Sequence, residues 1–338
     1  MENYYLGIDV SKKKLDLCLR KSGKDIRIGI IPNEMHAIME WIQDEAEKNA
    51  FSLEKLIVCA EHTGQYTYQL VCASKILQVR LCLEDAARIK YANGLSRGKS
   101  DKADAHKIAA YAERYCDVLN MYKQPVEEIK QLKQLYADRS LLVADRAKYK
   151  AQLKDQKDCM NTSIFKNKVS IFKNLIKQFD GCIEKLEQQM RAIICHSSLM
   201  YRQYISLTDI DGVGQYMAIK MIIETEAFTQ FDFNPRKFCC HAGVAPFSYT
   251  SGSSQCTKAR VSNRADKSIK YMLHMCALVN IRIKGSPLKA YYDRKVAEGK
   301  NKMIVLNAIR AKLVFIMFAV IKNDSVYSRS YQNNLVIS

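Results

Sequence analysis

An α/β N-terminal domain, a helical middle and a mainly α-helical C-terminal domain are the architecture that three patterns predict. Short apolar and alternating runs crowd the start of the chain, where "YYLGIDV", "KLDLCLR" and "IRIGII" follow one another as strands. From Ile129 onward, apolar residues recur at spacings of three and four among many charged ones. Only 13 Gly and 5 Pro occur in 338 residues, fewer than a loop-rich all-β chain needs. A hydrophobic share of 48% supplies a real core and excludes wholesale disorder.

The first three runs form consecutive antiparallel strands, with a turn marked by Gly23 between the second and third. A helix follows from Asn33, with Met35, Ile38, Met39 and Ile42 at helical spacing. "KLIVCA" reads as a buried strand, Tyr66 to Leu77 as a helix, "VRLCL" as a strand and Asp101 to Tyr115 as a helix. Three antiparallel strands followed by alternating helices and strands make an RNase-H-like layout over residues 1–124. Residues 125–203 carry two stripes, Leu132 to Leu153 and Phe172 to Ile193. They predict an antiparallel helical pair or coiled coil used for self-association, with a two-helix insertion packing on its own domain as the alternative. Residues 204–338 hold "LTDIDGVGQYMAIKMIIE" and "HAGVAPFSYTSGSS", then amphipathic helices near Asp266–Ile283 and Lys302–Lys322.

Charge is unevenly spread. Residues 1–50 hold 8 Lys/Arg against 9 Asp/Glu, and residues 251–338 hold 16 against 4. A basic region joined to a near-neutral one predicts a polyanion held on one side, most often nucleic acid. None of the 12 cysteines forms a C-x-x-C pair and no signal peptide precedes them, so reduced thiols in a cytoplasm are expected. Lys312 and Lys322 bracket the apolar run Leu313 to Ile321, which is too short to span a bilayer and reads as a buried helix.

Four carboxylates stand out. Asp9 lies inside an apolar strand and Glu61 ends another, where an unneutralised charge is costly. Asp101 and Asp104 share one face at the start of a helix, where the dipole alone would also favour acids. In an RNase-H-like sheet the first and fourth strands are neighbours and a later helix closes over their ends. All four acids would then meet and need divalent cations, and a pair of Mg²⁺ ions suits phosphoryl transfer. Two further motifs read ambiguously. Gly212 and Gly214 in "DIDGVGQ" suit either a phosphate-gripping helix-hairpin-helix or a plain helical connection. Residues 248–254, "SYTSGSS", place five serine and threonine side chains ahead of a basic stretch. They suit either a solvated loop or a nucleophile aimed at a phosphate.

"LGIDVSKKKLDLCL", "CAEHTG" and "GKSDKADAHKIAAYA" resemble the RuvC-like domain of the DEDD transposases of the "one-ten" insertion-sequence family, bridge-RNA-guided recombinases with pilin-gene invertases as relatives. "LTDIDGVGQYMAIKMIIE" and "HAGVAPFSYTSGSS" resemble that family's C-terminal transposase domain, so the likeness covers both ends of the chain. The resemblance implies that Asp9, Glu61, Asp101 and Asp104 hold Mg²⁺, with Mn²⁺ able to substitute. It implies that Ser251, in the Ser-Gly motif, is the nucleophile of strand exchange, with Ser253 and Ser254 close by. Lys258, Arg260, Arg264 and Lys267 would hold the nucleic-acid backbone. Where the family often has a Gly-Asn pair, this chain has Ala265-Asp266. The implied partners are DNA (element ends and target), an element-encoded noncoding guide RNA and further copies of the chain, as dimer or tetramer, with no membrane. Three other readings compete: a metal-dependent nuclease or junction resolvase without serine chemistry, a non-catalytic nucleic-acid scaffold, and a sugar-kinase-like ATPase. "SKKK" lacks the phosphate-cradling glycine that the ATPase would need.

Overall fold

The computed structural model describes residues 3–329 apart from 93–100, 124, 158, 160, 161, 248, 249, 252–254, 257–259 and 262–264. The backbone but not the side chain is described at Asp101, Ser251 and Arg260, among others. The chain divides into two compact units, Met1–Gln124 and Pro125–Ser338.

In the first unit the strands are β1 (Tyr4–Val10), β2 (Lys14–Lys21), β3 (Lys24–Pro32), β4 (Leu56–Glu61) and β5 (Arg80–Glu84). Its helices are α1 (Met35–Lys48), α2 (Tyr68–Ile76), α3 (Ala86–Ala92) and α4 (Asp101–Arg114). The sheet order is β3-β2-β1-β4-β5. β1, β2 and β3 pair antiparallel, and β4 and β5 add in parallel. This is the RNase-H-like order. Ser22 (φ 47°) and Gly23 (φ 79°) form the two-residue turn between β2 and β3, where both positions need the left-handed region.

Strand alternation sorts the residues between two faces. Leu6, Ile8, Leu15, Leu17, Leu56, Val58 and Ala60 point one way and pack with Ile38 and Ile42 of α1 and Leu70 and Ala73 of α2. Tyr5, Ile57, Cys59 and Cys82 point the other way, against Ile108, Tyr111 and Ala112 of α4. Asp9, Cys18 and Glu61 have the same parity as this second set.

Gly7 lets α4 sit close to β1. A Cβ there would run into Ala109 N and Ala105 O and lie 2.8 Å from Ala109 Cα, all helix backbone that cannot rotate away. We predict that Gly7→Ala lowers stability by about 1–3 kcal/mol by overpacking, seen as a depressed melting temperature. An unchanged melting temperature would refute this account of the contact.

The second unit is helical: α5 (Glu127–Asp155), α6 (Thr162–His196), α7 (Ser198–Thr208), α8 (Gln215–Thr225), α9 (Pro235–His241), α10 (Lys267–Asn280), α11 (Pro287–Ala297) and α12 (Lys302–Lys322). Between α9 and α10 the described residues include the strand segments β6 (Pro246–Phe247), β7 (Thr250–Ser251), β8 (Gln255–Cys256) and β9 (Arg260–Val261). β6 pairs with β9 and β7 with β8, both antiparallel, so the described residues form a nested ladder. Neither this ladder nor α11 was expected from the sequence.

α5 and α6 form an antiparallel pair. Arg139 Nε meets Glu187 Oε1 at 2.8 Å, and farther out Tyr149 packs on Phe172 and Phe179. At 1.5 Å per residue, α6 is about 50 Å long. Only the base of the pair, at Ile129, Leu132, Met190 and Ile194, enters the unit's core. Leu141, Ile164 and Ile171 remain exposed along it. α12 is long and apolar enough to cross a membrane by length and composition. Ile309, Leu313, Val314, Met317 and Phe318 of that helix are buried, and Phe228 and Phe238 pack on Phe318. A core helix passes the same test, so α12 reads as the centre of this unit.

Candidate active site

β1 and β4 run parallel with Ile8 opposite Ala60, so Asp9 and Glu61 sit one position further on, side by side at the same sheet end. Both have the parity that faces α4, which carries Asp104 in its first turn. Burial raises the proton affinity of Glu61 above the usual carboxyl range, and the negative charges of Asp9, Asp104 and Asp85 add to the shift. Three of the four acids singled out by sequence therefore share one electrostatic site. Lys107 Nζ, one turn along α4, reaches Asp104 Oδ1 at 2.7 Å. Asp101 lies on the same helix three residues earlier, and its side chain is outside the described residues.

Three further acids belong to this end of the sheet. Asp16 is 2% exposed, pairs across the strands with Asp9 and meets Lys14 Nζ at 3.0 Å. Glu84 is opposite Glu61 on β5 and 6% exposed. Its carboxylate accepts from Tyr111 Oη at 3.0 Å and from Arg88 Nη1 at 3.1 and 3.2 Å, tying α3 and α4 to the sheet end. Burial and that hydrogen bond push the Tyr111 phenol up to about 12. Asp85 caps the first turn of α3, accepting from Ala87 N at 2.6 Å. The sequence signal for Asp16 was an acid among leucines in "KLDLCLR"; Glu84 and Asp85 end "VRLCLED".

The donor chemistry fits a divalent cation. The carboxylates are hard oxygen donors; burial first and their crowding second raise the proton affinity of Glu61, and a cation would relieve the repulsion.

In the second unit, Gly212 adopts φ +75°, and a Cβ there would lie 2.9 Å from Cys276 O and collide with the Asn280 amide. That amide donates to Asp211 O and fixes the loop on α10. Gly214 is the N-cap of α8, with no side-chain cap and open space where a Cβ would project. A depression lined by Thr208–Gly214 and Val279 ends at this cap. Asp211 lines it too, but Arg329 neutralises that carboxylate with contacts of 2.8 Å.

Ser251 lies in β7, with its backbone opposite Gln255 of β8. Arg260 lies in β9, opposite Phe247. Lys258 and Arg264 are outside the described residues. Lys267 is exposed in the first turn of α10. Asp266 caps that helix, accepting from Ser268 N at 2.7 Å and Ile269 N at 3.1 Å. Asp266 thus fills a helix-cap position that Asn would fill as well. Ser251 and the acids lie in different units.

An RNase-H-like sheet whose first and fourth strands end in crowded carboxylates defines a class of divalent-metal enzymes that act on polynucleotide phosphates. The comparisons narrow the class. A DEDD transposase profile matches residues 6–158, and the profile described as "Transposase IS116/IS110/IS902 family" matches residues 205–293. The chain belongs to this transposase family and is an enzyme of DNA cutting and rejoining. Pilin gene-inverting proteins of Moraxella lacunata and Moraxella bovis are each 24% identical to it, over 97% of this chain and 99% of theirs. Thermus thermophilus RuvC, solved in complex with a Holliday junction substrate, is 12% identical. It covers 36% of this chain and 99% of its own, with a TM-score of 0.28. A second RuvC structure gives 13%, 35% of this chain and the same score. The fold assignment rests on the strand order.

Proposed function

We propose that this transposase exchanges DNA strands by combining a Mg²⁺-bound acid cluster with a serine nucleophile. The observation that carries the reading is the convergence of Asp9, Glu61 and Asp104, expressed in the raised proton affinity of Glu61. Asp101 completes the set that would hold the metal, as a two-ion site. When bound, Mg²⁺ supplies charge neutralisation and polarises the phosphate oxygens.

Ser251 Oγ attacks a strand phosphorus, forming one P–O bond as another breaks. One strand end stays esterified to the serine. The other leaves as a hydroxyl, on which the serine proton ends. A hydroxyl from a second strand then displaces the serine and reverses the bookkeeping. This preserves the number of phosphodiester bonds, which suits a family of recombinases and not hydrolysis alone. The N–H groups of Gly212 and Gly214 grip backbone phosphate without reading bases, while Lys258, Arg260, Arg264 and Lys267 add charge.

Residues 1–124 act as the metal-binding domain, 125–203 as the helical assembly segment of a homo-oligomer, and 204–338 as the domain carrying the serine. The likeness to invertases that span nearly the whole chain supports DNA as substrate. An element-encoded RNA chooses the target by base pairing.

The test is strand exchange by the purified protein with whatever RNA co-purifies, on DNA bearing the element's ends. Recombinant joints are expected with Mg²⁺, none after chelation, and recovery on adding Mg²⁺ back. Joints formed at full rate in excess chelator would overturn the metal half of the reading.

A further inference from the structure

The β2–β3 hairpin and α4 bring together a second set of ligand-type side chains that the acid cluster does not use. Cys18 of β2, Asp25 of β3 and His106 of α4 present a sulfur, a carboxylate oxygen and an imidazole nitrogen, all within 4.8 Å of one another. Cys18 has no exposed surface and packs against Ala105 and Ala109 of α4. The side chains of His106 and Asp25 are 44% and 27% exposed, and His106 Nδ1 lies 2.6 Å from Asp25 Oδ2. The cluster is thus closed on its sulfur side and open to water on its imidazole side.

We propose that Cys18, Asp25 and His106 bind a divalent transition metal of the zinc class, with water in the fourth position. A thiolate, an imidazole and one carboxylate are the mixed donors that suit Zn²⁺. Mg²⁺ takes oxygen ligands, so the two sites select different ions. With bonds of about 2.0–2.3 Å, tetrahedral ligand atoms stand roughly 3.3–3.8 Å apart. Small side-chain rotations reach that spacing, with the Asp25–His106 contact opening as the sulfur draws in.

Arg20 is the nearby charge that has to be weighed. Its Nη1 meets Asp25 Oδ1 at 2.7 Å and its Nε meets Glu113 Oε2 at 2.6 Å. Two carboxylates therefore share this one guanidinium, and Asp25 Oδ2 is turned away from it toward His106. An ion replaces the proton in that contact and the proton on the thiol. Burial first, and Asp25 second, push the Cys18 thiol up to about 12. Metal binding therefore releases the thiol proton and strengthens as pH rises. An occupied site would clamp the edge hairpin onto the helix that carries Asp104.

The test uses the full chain stripped of metal and titrated with Co²⁺. A thiolate-to-cobalt absorption band in the near ultraviolet is expected. It should saturate at a single equivalent, release protons and be displaced by Zn²⁺. Cys18→Ser should abolish it, and His106→Gln should weaken apparent affinity at least about tenfold. Cys116, Cys159, Cys182, Cys195 and Cys240 are exposed, so the decisive quantity is the difference from Cys18→Ser. Equal bands in wild type and Cys18→Ser overturn the proposal. If Cys18→Ser does not fold, the more exposed Asp25→Asn and His106→Gln carry the comparison, and unchanged affinity in both overturns it. Asp104→Asn should keep the band, so failure here is distinct from failure of the acid-cluster reading.

Discussion

Asp104→Asn is expected to reduce strand exchange by about 10³-fold or more while leaving the protein folded. The side chain is 31% exposed, and its partner among the described contacts is Lys107, also on α4, so no core packing depends on its charge. What the substitution removes is a hard anionic donor and part of the field on Glu61. The proton affinity of Glu61 should fall back toward the ordinary carboxyl range, because Asp104 is one of the charges that raise it. The half-saturating Mg²⁺ concentration should rise, and extra Mg²⁺ should recover only part of the rate. Activity within twofold of wild type, with an unaltered Mg²⁺ titration, would remove Asp104 from the site and favour the non-catalytic scaffold.

Ser251→Ala is expected to abolish joint formation, by about 10⁴-fold or more, because no other atom of that side chain can form the ester. DNA binding and Mg²⁺ binding should persist, since the acids belong to the other unit. Ser253→Ala and Ser254→Ala should retain exchange. The same experiment separates the serine route from a metal-dependent nuclease. A nuclease cuts through an activated water and needs the acids alone, so full recombination by Ser251→Ala would end the serine chemistry. Loss confined to Ser253→Ala or Ser254→Ala would move the nucleophile by two or three positions along the sequence.

Much of the first unit was legible because its strands obey short periods. In "KLDLCLR" the leucines fall on one face and Asp16, Cys18 and Arg20 on the other, as the pleat requires. Asp9 and Glu61 were visible because a carboxylate in or at the end of a buried apolar strand needs an explanation. Asp16 passed unnoticed, since a single acid in an alternating strand looks solvated until register places it opposite Asp9. The role of Glu84 depends on Tyr111 and Arg88, one of them 27 residues away, and no local spacing announces that meeting. The pairing of β6 with β9 and of β7 with β8 escaped because register between two segments is written in neither one alone. α11 was also missed, although Ser286-Pro287 is a regular helix start.

Alternation, helical spacing and the placement of charge along the chain are local. They follow from backbone sterics and the preference of apolar side chains for one face, so strands, helices and the near-neutral and basic ends could be read residue by residue. Which side chains touch is a different matter. The approach of α4 to Gly7, the crowding around Glu61 and the Cys18–Asp25–His106 cluster depend on register between segments distant in sequence. Packing summed over a whole unit selects that register, and no window of the chain contains it.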